Sequence, residues 1–263
     1  MCTSALHTGG GCASIAPLPG YAAINQRRLR WRPTARNPAE NLFKMKVLIF
    51  GATGMVGQGA LRECLLDPGV EEVVTIGRQA TGRNHAKLHE IVHPDLTNYA
   101  AIEAQLVGFD ACFFCLGIAS AGMSEADYSR ITYDMPLAAA KMLLRLNPAM
   151  TFVHISGASA DSSERGRVMW ARVKGRTENA LLRLPFKAVY IFRPGGIRPM
   201  HGIASRTTLY RIIYGIAAPL LPWLERSFPR YVTSTEQLGK AMLKAAREGA
   251  PKPILECEDI NRL

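Results

Sequence analysis

The chain has 263 residues, 48% hydrophobic, 20% charged and 8% aromatic, which excludes disorder throughout and fits one globular domain plus a remainder. Its formal charge of +11, from 32 Lys and Arg against 21 Asp and Glu, points first to an acidic partner such as nucleic acid or a membrane surface. No run of 18 apolar residues is free of charge and no basic start leads into an apolar stretch, so neither a spanning helix nor a secretory signal is expected.

The charge is uneven. Residues 1–44 carry six basic side chains (Arg27, Arg28, Arg30, Arg32, Arg36, Lys44) against the single acid Glu40, and their Gly and Pro content leaves no sustained apolar period. They read as a disordered basic extension ahead of a domain over 45–263, with Met45 a natural start for the folded part. Arg-rich and acid-free through residue 39, the extension is also compatible with an organelle transit segment; a cytoplasmic protein is the first expectation. The rest of the chain has no block of like charge and no interleaved aromatics, so a nucleic-acid face is not expected there. Six scattered cysteines (Cys2, Cys12, Cys64, Cys112, Cys115, Cys257) lack the density of a disulfide framework and fit a reducing compartment.

From Lys46 onward short apolar runs alternate with amphipathic stretches, the pattern of an α/β fold, a Rossmann-like doubly wound parallel sheet with a short C-terminal substrate-side segment. Strands are expected near 46–50, 72–76, 90–93, 111–116, 151–156, 187–192 and 253–257, and helices near 55–66, 98–107, 124–146, 166–184 and 235–248. Ser124-Glu-Ala-Asp127 offers a capping pattern for the third helix.

The first strand runs into Gly51-Ala-Thr53-Gly54-Met55-Val56-Gly57 and then a helix. Gly51 suits a tight turn, Gly54 a close backbone approach to a pyrophosphate, and Gly57 close helix–strand packing, with the helix N-terminus favouring an anion. Dinucleotide binding follows. At the end of the second strand, Thr75-Ile-Gly77-Arg78 has no carboxylate for ribose hydroxyls, and Arg78 is placed to pair with a 2′-phosphate, so NADP(H) is favoured over NAD(H).

His89-Glu90-Ile91-Val92-His93 has H-E-x-x-H spacing, but Pro94 follows and the run reads as a strand, in which residues four apart lie about 13 Å from each other. No metal is expected. Cys112-Phe-Phe-Cys115 lies in the fourth strand, where residues three apart point to opposite faces, and reads as two packing cysteines.

The glycine loop, Asp95-Leu96 after the third strand, Cys115-Leu116-Gly117 after the fourth, Lys174 in the fifth helix and Arg193-Pro194-Gly195 after the sixth strand together resemble the atypical short-chain dehydrogenase/reductases. The likeness is strongest to the branch that includes the Tat-interacting oxidoreductase of animals and bacterial proteins labelled epimerase or dehydratase. It covers about residues 46–260. It implies that Asp95 and Leu96 line the adenine, that Leu116 and Gly117 flank the cofactor ribose, and that Pro194 belongs to the cofactor-binding set.

The same resemblance implies a Tyr-x-x-x-Lys pair on one helix face, working with a serine at the end of the fifth strand. The lysine charge lowers the phenol's pKa so that it can exchange a proton with the substrate oxygen. Here Lys174 matches, but Trp170 stands where the tyrosine would, and an indole N–H has no useful acidity. Ser156 fits the first of the family's two serines and Gly157 takes the second, often catalytic, place. Lys174 and Ser156 therefore remain the candidate catalytic residues, Lys174 also holding the nicotinamide ribose. Substitute acids are Tyr128, Tyr133, Ser159 or a water. An epimerase or oxidoreductase with an incomplete site, or a catalytically silent NADP(H)-responsive binding protein, are the two functions these residues allow.

The segment from Thr207 to Arg226 is apolar but broken by Arg211, Pro219 and Pro222. It is expected to close over a small-molecule substrate, which an apolar lid would suit if hydrophobic, with core packing the next alternative and peripheral membrane contact through 209–224 or a dimer surface after it.

Overall fold

The computed structural model describes residues 44–203 and 227–263; the expectations for residues 1–43 and for the apolar segment 207–226 lie outside them. The described chain forms strand β1 (Met45–Phe50), helix α1 (Met55–Leu66), β2 (Val70–Gly77), β3 (Leu88–Val92) and β4 (Ala111–Phe114). There follow α2 (Glu125–Ser129), a π-helical turn (Arg130–Asp134), α3 (Met135–Leu146), β5 (Thr151–Ile155), α4 (Met169–Leu182), β6 (Ala188–Arg193) and β7 (Gly196–Arg198). After the undescribed segment come β8 (Val232–Ser234), α5 (Thr235–Glu248), β9 (Ile254–Glu256) and α6 (Cys257–Arg262).

Seven strands make one parallel sheet in the order β3-β2-β1-β4-β5-β6-β9, a Rossmann-like α/β fold. The order reverses between β1 and β4. A crevice opens outside the carboxyl ends of the strands at such a switch point, and that is where ligands bind in open α/β sheets. β7 and β8 form a separate two-stranded parallel pair.

β1 alternates its side chains between two covered faces, which is why Val47 to Phe50 read as an unbroken apolar run and the strand is buried along its whole length. Val47, Ile49, Phe113, Val153, Phe192 and Leu255 pack on one side with Leu61 and Cys64 of α1 and Leu238, Ala241 and Met242 of α5. On the other face, aromatic rings step across the sheet: Phe50 and Phe114 have centroids 5.3 Å apart, Phe114 and Phe152 6.2 Å, Phe152 and Phe186 5.4 Å. His154 joins this row at 5.7 Å from Phe114.

Ser124 caps α2 as its spacing predicts, its Oγ accepting from the Asp127 N–H at 3.1 Å. The helix expected over 98–107 does not form; only Glu103–Gln105 makes a 3-10 turn. The side chains of Asp95 and Asn98 accept from the N–H groups of Thr97 (2.9 Å) and Ala100 (3.1 Å), and these local turns compete with the helical ladder. Tyr99, Ile102 and Leu106 of this stretch are still buried. The strand pair β7–β8 and helix α6 are additions to the sequence reading.

Candidate functional site

The glycine loop lies where β1 meets α1. Gly51 has φ +78°, and a Cβ there would also meet the Leu116 nitrogen at 2.9 Å, so a side chain is excluded twice over. A Cβ on Gly57 would lie 2.1 Å from the Gly51 carbonyl oxygen, which means the first turn of α1 packs directly on the loop. α1 begins at Gly54 with no side-chain cap, leaving its first N–H groups, at Met55 and Val56, without the usual capping oxygen. Thr53 is partly exposed beside them.

A cavity of about 370 Å³ opens at this edge, lined by Gly51, Thr53, Gly77, Arg78, Gln79, Leu96 and Leu116. Five of the cofactor-binding positions expected from the sequence thus meet in one place: Gly51, Thr53, Arg78, Leu96 and Leu116. Arg78 is exposed, and Glu90 of β3 accepts from the Thr81 N–H at 2.5 Å, fixing the loop that carries Arg78 away from β2. Asp95 and Gly117 are not among the lining residues. The Asp95 carboxylate is engaged within its own turn, by Thr97 N–H and Thr97 Oγ, and those bonds hold its pKa below the ordinary carboxylate value. Gly117 is exposed with open space around it. Pro194 is buried, its carbonyl accepting from Ala158 N–H at 3.0 Å and so tying the loop after β6 to the loop after β5.

On the neighbouring strand ends the arrangement is different. His154 and Ser156 alternate onto the face of β5 that α4 covers. The Ser156 hydroxyl donates to Glu178, which lies fully buried on α4, four residues after Lys174. Arg193 of β6 donates through Nε to both Glu178 oxygens at 3.1 Å, and reaches Glu256 (3.0 Å) and the Ser162 hydroxyl (2.6 Å). One carboxylate therefore clamps β5, α4 and β6 together. Glu178 was missed from the sequence, although a carboxylate one turn from Lys174 on the stripe of Val173, Thr177 and Leu181 was a readable signal.

Lys174 makes no hydrogen bond or ion pair among the described residues. Desolvation pulls its pKa down from 10.5 to about 8, Glu178 acting in the opposite sense. His154 stays neutral: burial and the Lys174 charge lower it to about 3, and its Nδ1 is buried with no partner among the described residues. The loop between β5 and α4 lies so close to the helix that a Cβ on Gly175 would sit 1.7 Å from the Asp161 carbonyl oxygen.

The substitute acids separate. Tyr128 is buried, with its phenol pushed up by burial; Tyr133 lies under the Arg176 guanidinium, 4.4 Å from its ring; Ser159 is exposed with a left-handed backbone at φ 67°. None bonds to Lys174. Trp170, one turn before Lys174 on α4, is partly exposed. His89 is in β3 near Glu72 and His93 bonds the Asn98 carbonyl at 2.6 Å, so the two histidines are used separately. Cys112 and Cys115 have thiols pushed up by burial, Cys115 to about 12, as fits packing residues.

Residues 47–165 match the model of the "NAD dependent epimerase/dehydratase family". The chain is 27% identical to "Protein FMP52-2, mitochondrial" of Scheffersomyces stipitis over 79% of this chain and 90% of that one. It is 31% identical to "Protein fmp52, mitochondrial" of Emericella nidulans over 57% of this chain and 65% of that one. Its fold is similar to the Bordetella bronchiseptica enzyme WbmF in complex with NAD+, with a TM-score of 0.60, 13% identity, and 83% and 76% of the two chains covered. The chain thus matches the epimerase/dehydratase family model over residues 47–165, is similar in sequence to FMP52-type proteins, and shares a Rossmann-like fold with the solved structures.

Proposed function

We propose that this protein binds a nicotinamide dinucleotide at the ends of β1, β2 and β4, NADP(H) in preference to NAD(H), and uses it in oxidoreductase or epimerase chemistry on a small, hydrophobic substrate. The observation that carries this reading is the cavity of about 370 Å³ between the glycine loop, Arg78, Leu96 and Leu116. The fit is physical: Gly51 and Gly57 keep side chains out of the loop, the N-terminus of α1 faces an anion with free N–H groups, and Leu96 and Leu116 give a planar base apolar walls. Arg78 pairs with a 2′-phosphate, and no carboxylate on this loop repels one. Lys174 holds the nicotinamide ribose. A bound nicotinamide supplies a hydride donor or acceptor; the protein's own task is to orient the two reactants and handle the proton.

A second reading, a catalytically silent protein whose partner affinity responds to NADP(H), draws on Trp170 and on the Ser156 hydroxyl being committed to Glu178. Titrating NADPH and NADH against the purified protein by fluorescence tests both, since each needs binding; no saturable signal from either cofactor rejects them together. Screening aldehydes, ketones and sugar nucleotides with wild type and Trp170→Tyr separates them. Turnover by wild type that Lys174→Ala abolishes supports the enzyme, and turnover only in Trp170→Tyr supports the silent protein.

Relatives named as mitochondrial, together with the basic, acid-free stretch through residue 39, support organelle targeting over a cytoplasmic location. A fluorescent reporter fused behind residues 1–44 and staying in the cytosol would reject this. Among the described residues no helix is long and apolar enough to cross a membrane.

A further inference from the structure

The end of β5 lacks both hydroxyls that the family resemblance assigns to proton transfer. Trp170 replaces the tyrosine. The Ser156 hydroxyl donates its hydrogen bond to Glu178, and Gly157 has no side chain at all. Lys174 borders that space: a Cβ built on Gly157 would stand in van der Waals contact, 3.7 Å from both Lys174 Cε and Nζ. The amine thus sits against the bare backbone where a serine side chain would begin, with no hydrogen-bond or ion-pair partner among the described residues.

We propose that Lys174 Nζ is itself the proton donor and acceptor of this site, taking over from the absent tyrosine and serine hydroxyls, with Glu178 as the residue that positions it. The proposal rests on the nicotinamide-dependent reading above. When a carbonyl is reduced, hydride from a reduced nicotinamide forms the new C–H bond. The carbonyl π pair becomes an oxygen lone pair, and that oxygen takes a proton as one ammonium N–H bond breaks. The neutral amine then regains a proton from water, and oxidation of an alcohol runs the same steps in reverse. Lys174 supplies only the proton.

The surroundings suit this task. Burial brings the amine to about 8, so it is mostly charged at pH 7 and mostly neutral above pH 9, and a proton can pass either way near neutrality. From β5 the nearby titratable group is His154, which stays neutral and offers a buried Nδ1 as acceptor. From β6 it is Arg193, whose charge is paired with Glu178 and Glu256. Tyr128 and Tyr133 come from α2 and the π turn; α4 itself contributes Arg172, paired with Glu125, Arg176, stacked on Tyr133, and Glu178.

Trace labelling of the full chain with acetic anhydride from pH 6 to 11, read at Lys174 by mass spectrometry, tests the proposal. Its reactivity should rise with a midpoint near 8, Glu178→Gln should move that midpoint lower, and saturating NADPH should suppress labelling at pH 8. With NADPH and a panel of aliphatic aldehydes and ketones, the reduction rate should fall above the same pH. Lys174→Arg, assayed at saturating NADPH, should lose at least about a hundredfold in turnover. A midpoint near 10.5 overturns the proposal, as does turnover surviving in Lys174→Arg, or a low midpoint with no probe reduced by wild type. A low midpoint with NADPH neither binding nor shielding overturns the cofactor reading instead.

Discussion

The loops after β1, β2, β3 and β4 and the loops after β5 and β6 lie along one edge of one sheet, yet they are held by different means. The first group is built from backbone: glycines that exclude side chains, a helix start with open N–H groups, and apolar walls from Leu96 and Leu116. The second is built from side chains: Ser156, Glu178, Arg193, Ser162 and Glu256 bound to one another beneath a half-buried lysine. A backbone cradle has few chemical variants, because what it requires is absence. A side-chain site can exchange its reactive groups one by one while the clamp that supports them persists, and on the proposed reading Trp170 and Gly157 would be such exchanges.

Gly57→Ala tests the backbone side with the largest expected effect. The added methyl would lie 2.1 Å from the Gly51 carbonyl oxygen, against backbone that cannot swing aside as a side chain does. NADPH affinity should fall at least about a hundredfold, and urea melts should show a loss of about 3 kcal/mol, in the range for overpacking a close contact. Gly117→Ala is the matched comparison: its Cβ would meet nothing within 4 Å, so its urea midpoint should equal wild type. NADPH binding by Gly57→Ala within threefold of wild type would break the distinction between the two regions.

Acid sensitivity should belong to the side-chain region. The unfolded His154 takes up a proton near 6.5 whereas the folded one resists until about 3, so the unfolded state binds more protons in between and stability falls as pH drops from 6.5. From pH 6.5 to 5, above the range where the lowered carboxylates of Asp95 and Asp161 titrate, the loss should be about 2 kcal/mol. His154→Phe extends the ring row of Phe114 and Phe152 and should flatten this slope in urea melts at pH 6.5 and 5. An unchanged slope would place the acid-sensitive group elsewhere.

The same contrast explains what the sequence could disclose. The glycine loop was legible because each glycine answers a requirement of local geometry, and the strand before it and helix after it supply the context. Strands such as β1 and β4 were legible because both faces are covered and their runs are almost wholly apolar, whereas the edge strand β3, Leu-His-Glu-Ile-Val, is only partly buried. The stretch 98–107 misled because Tyr99, Ile102 and Leu106 can be buried from a loop as well as from a helix, and the local turns of Asp95 and Asn98 favour the loop. Glu178 was hidden for a different reason. A lone carboxylate on a helix is ordinary, and only the fold shows that Ser156 and Arg193, 22 and 15 residues away, converge on it.

Arg78 carries the smallest and most specific expectation. It is the one side-chain charge proposed for the backbone-built region, and it is exposed. A charge-assisted hydrogen bond to phosphate contributes about 1.5–3 kcal/mol when shielded, but solvent and salt screen an exposed pair, so about 1 kcal/mol is the appropriate scale. Arg78→Ala should therefore weaken NADPH about fivefold and leave NADH unchanged, the loss shrinking as salt rises from 50 to about 500 mM. Because both cofactors share the glycine loop, their ratio isolates Arg78 from any general damage to the fold. Equal weakening of NADPH and NADH would mean that Arg78 supports the loop rather than the 2′-phosphate, and the preference for NADP(H) would then have no residue behind it.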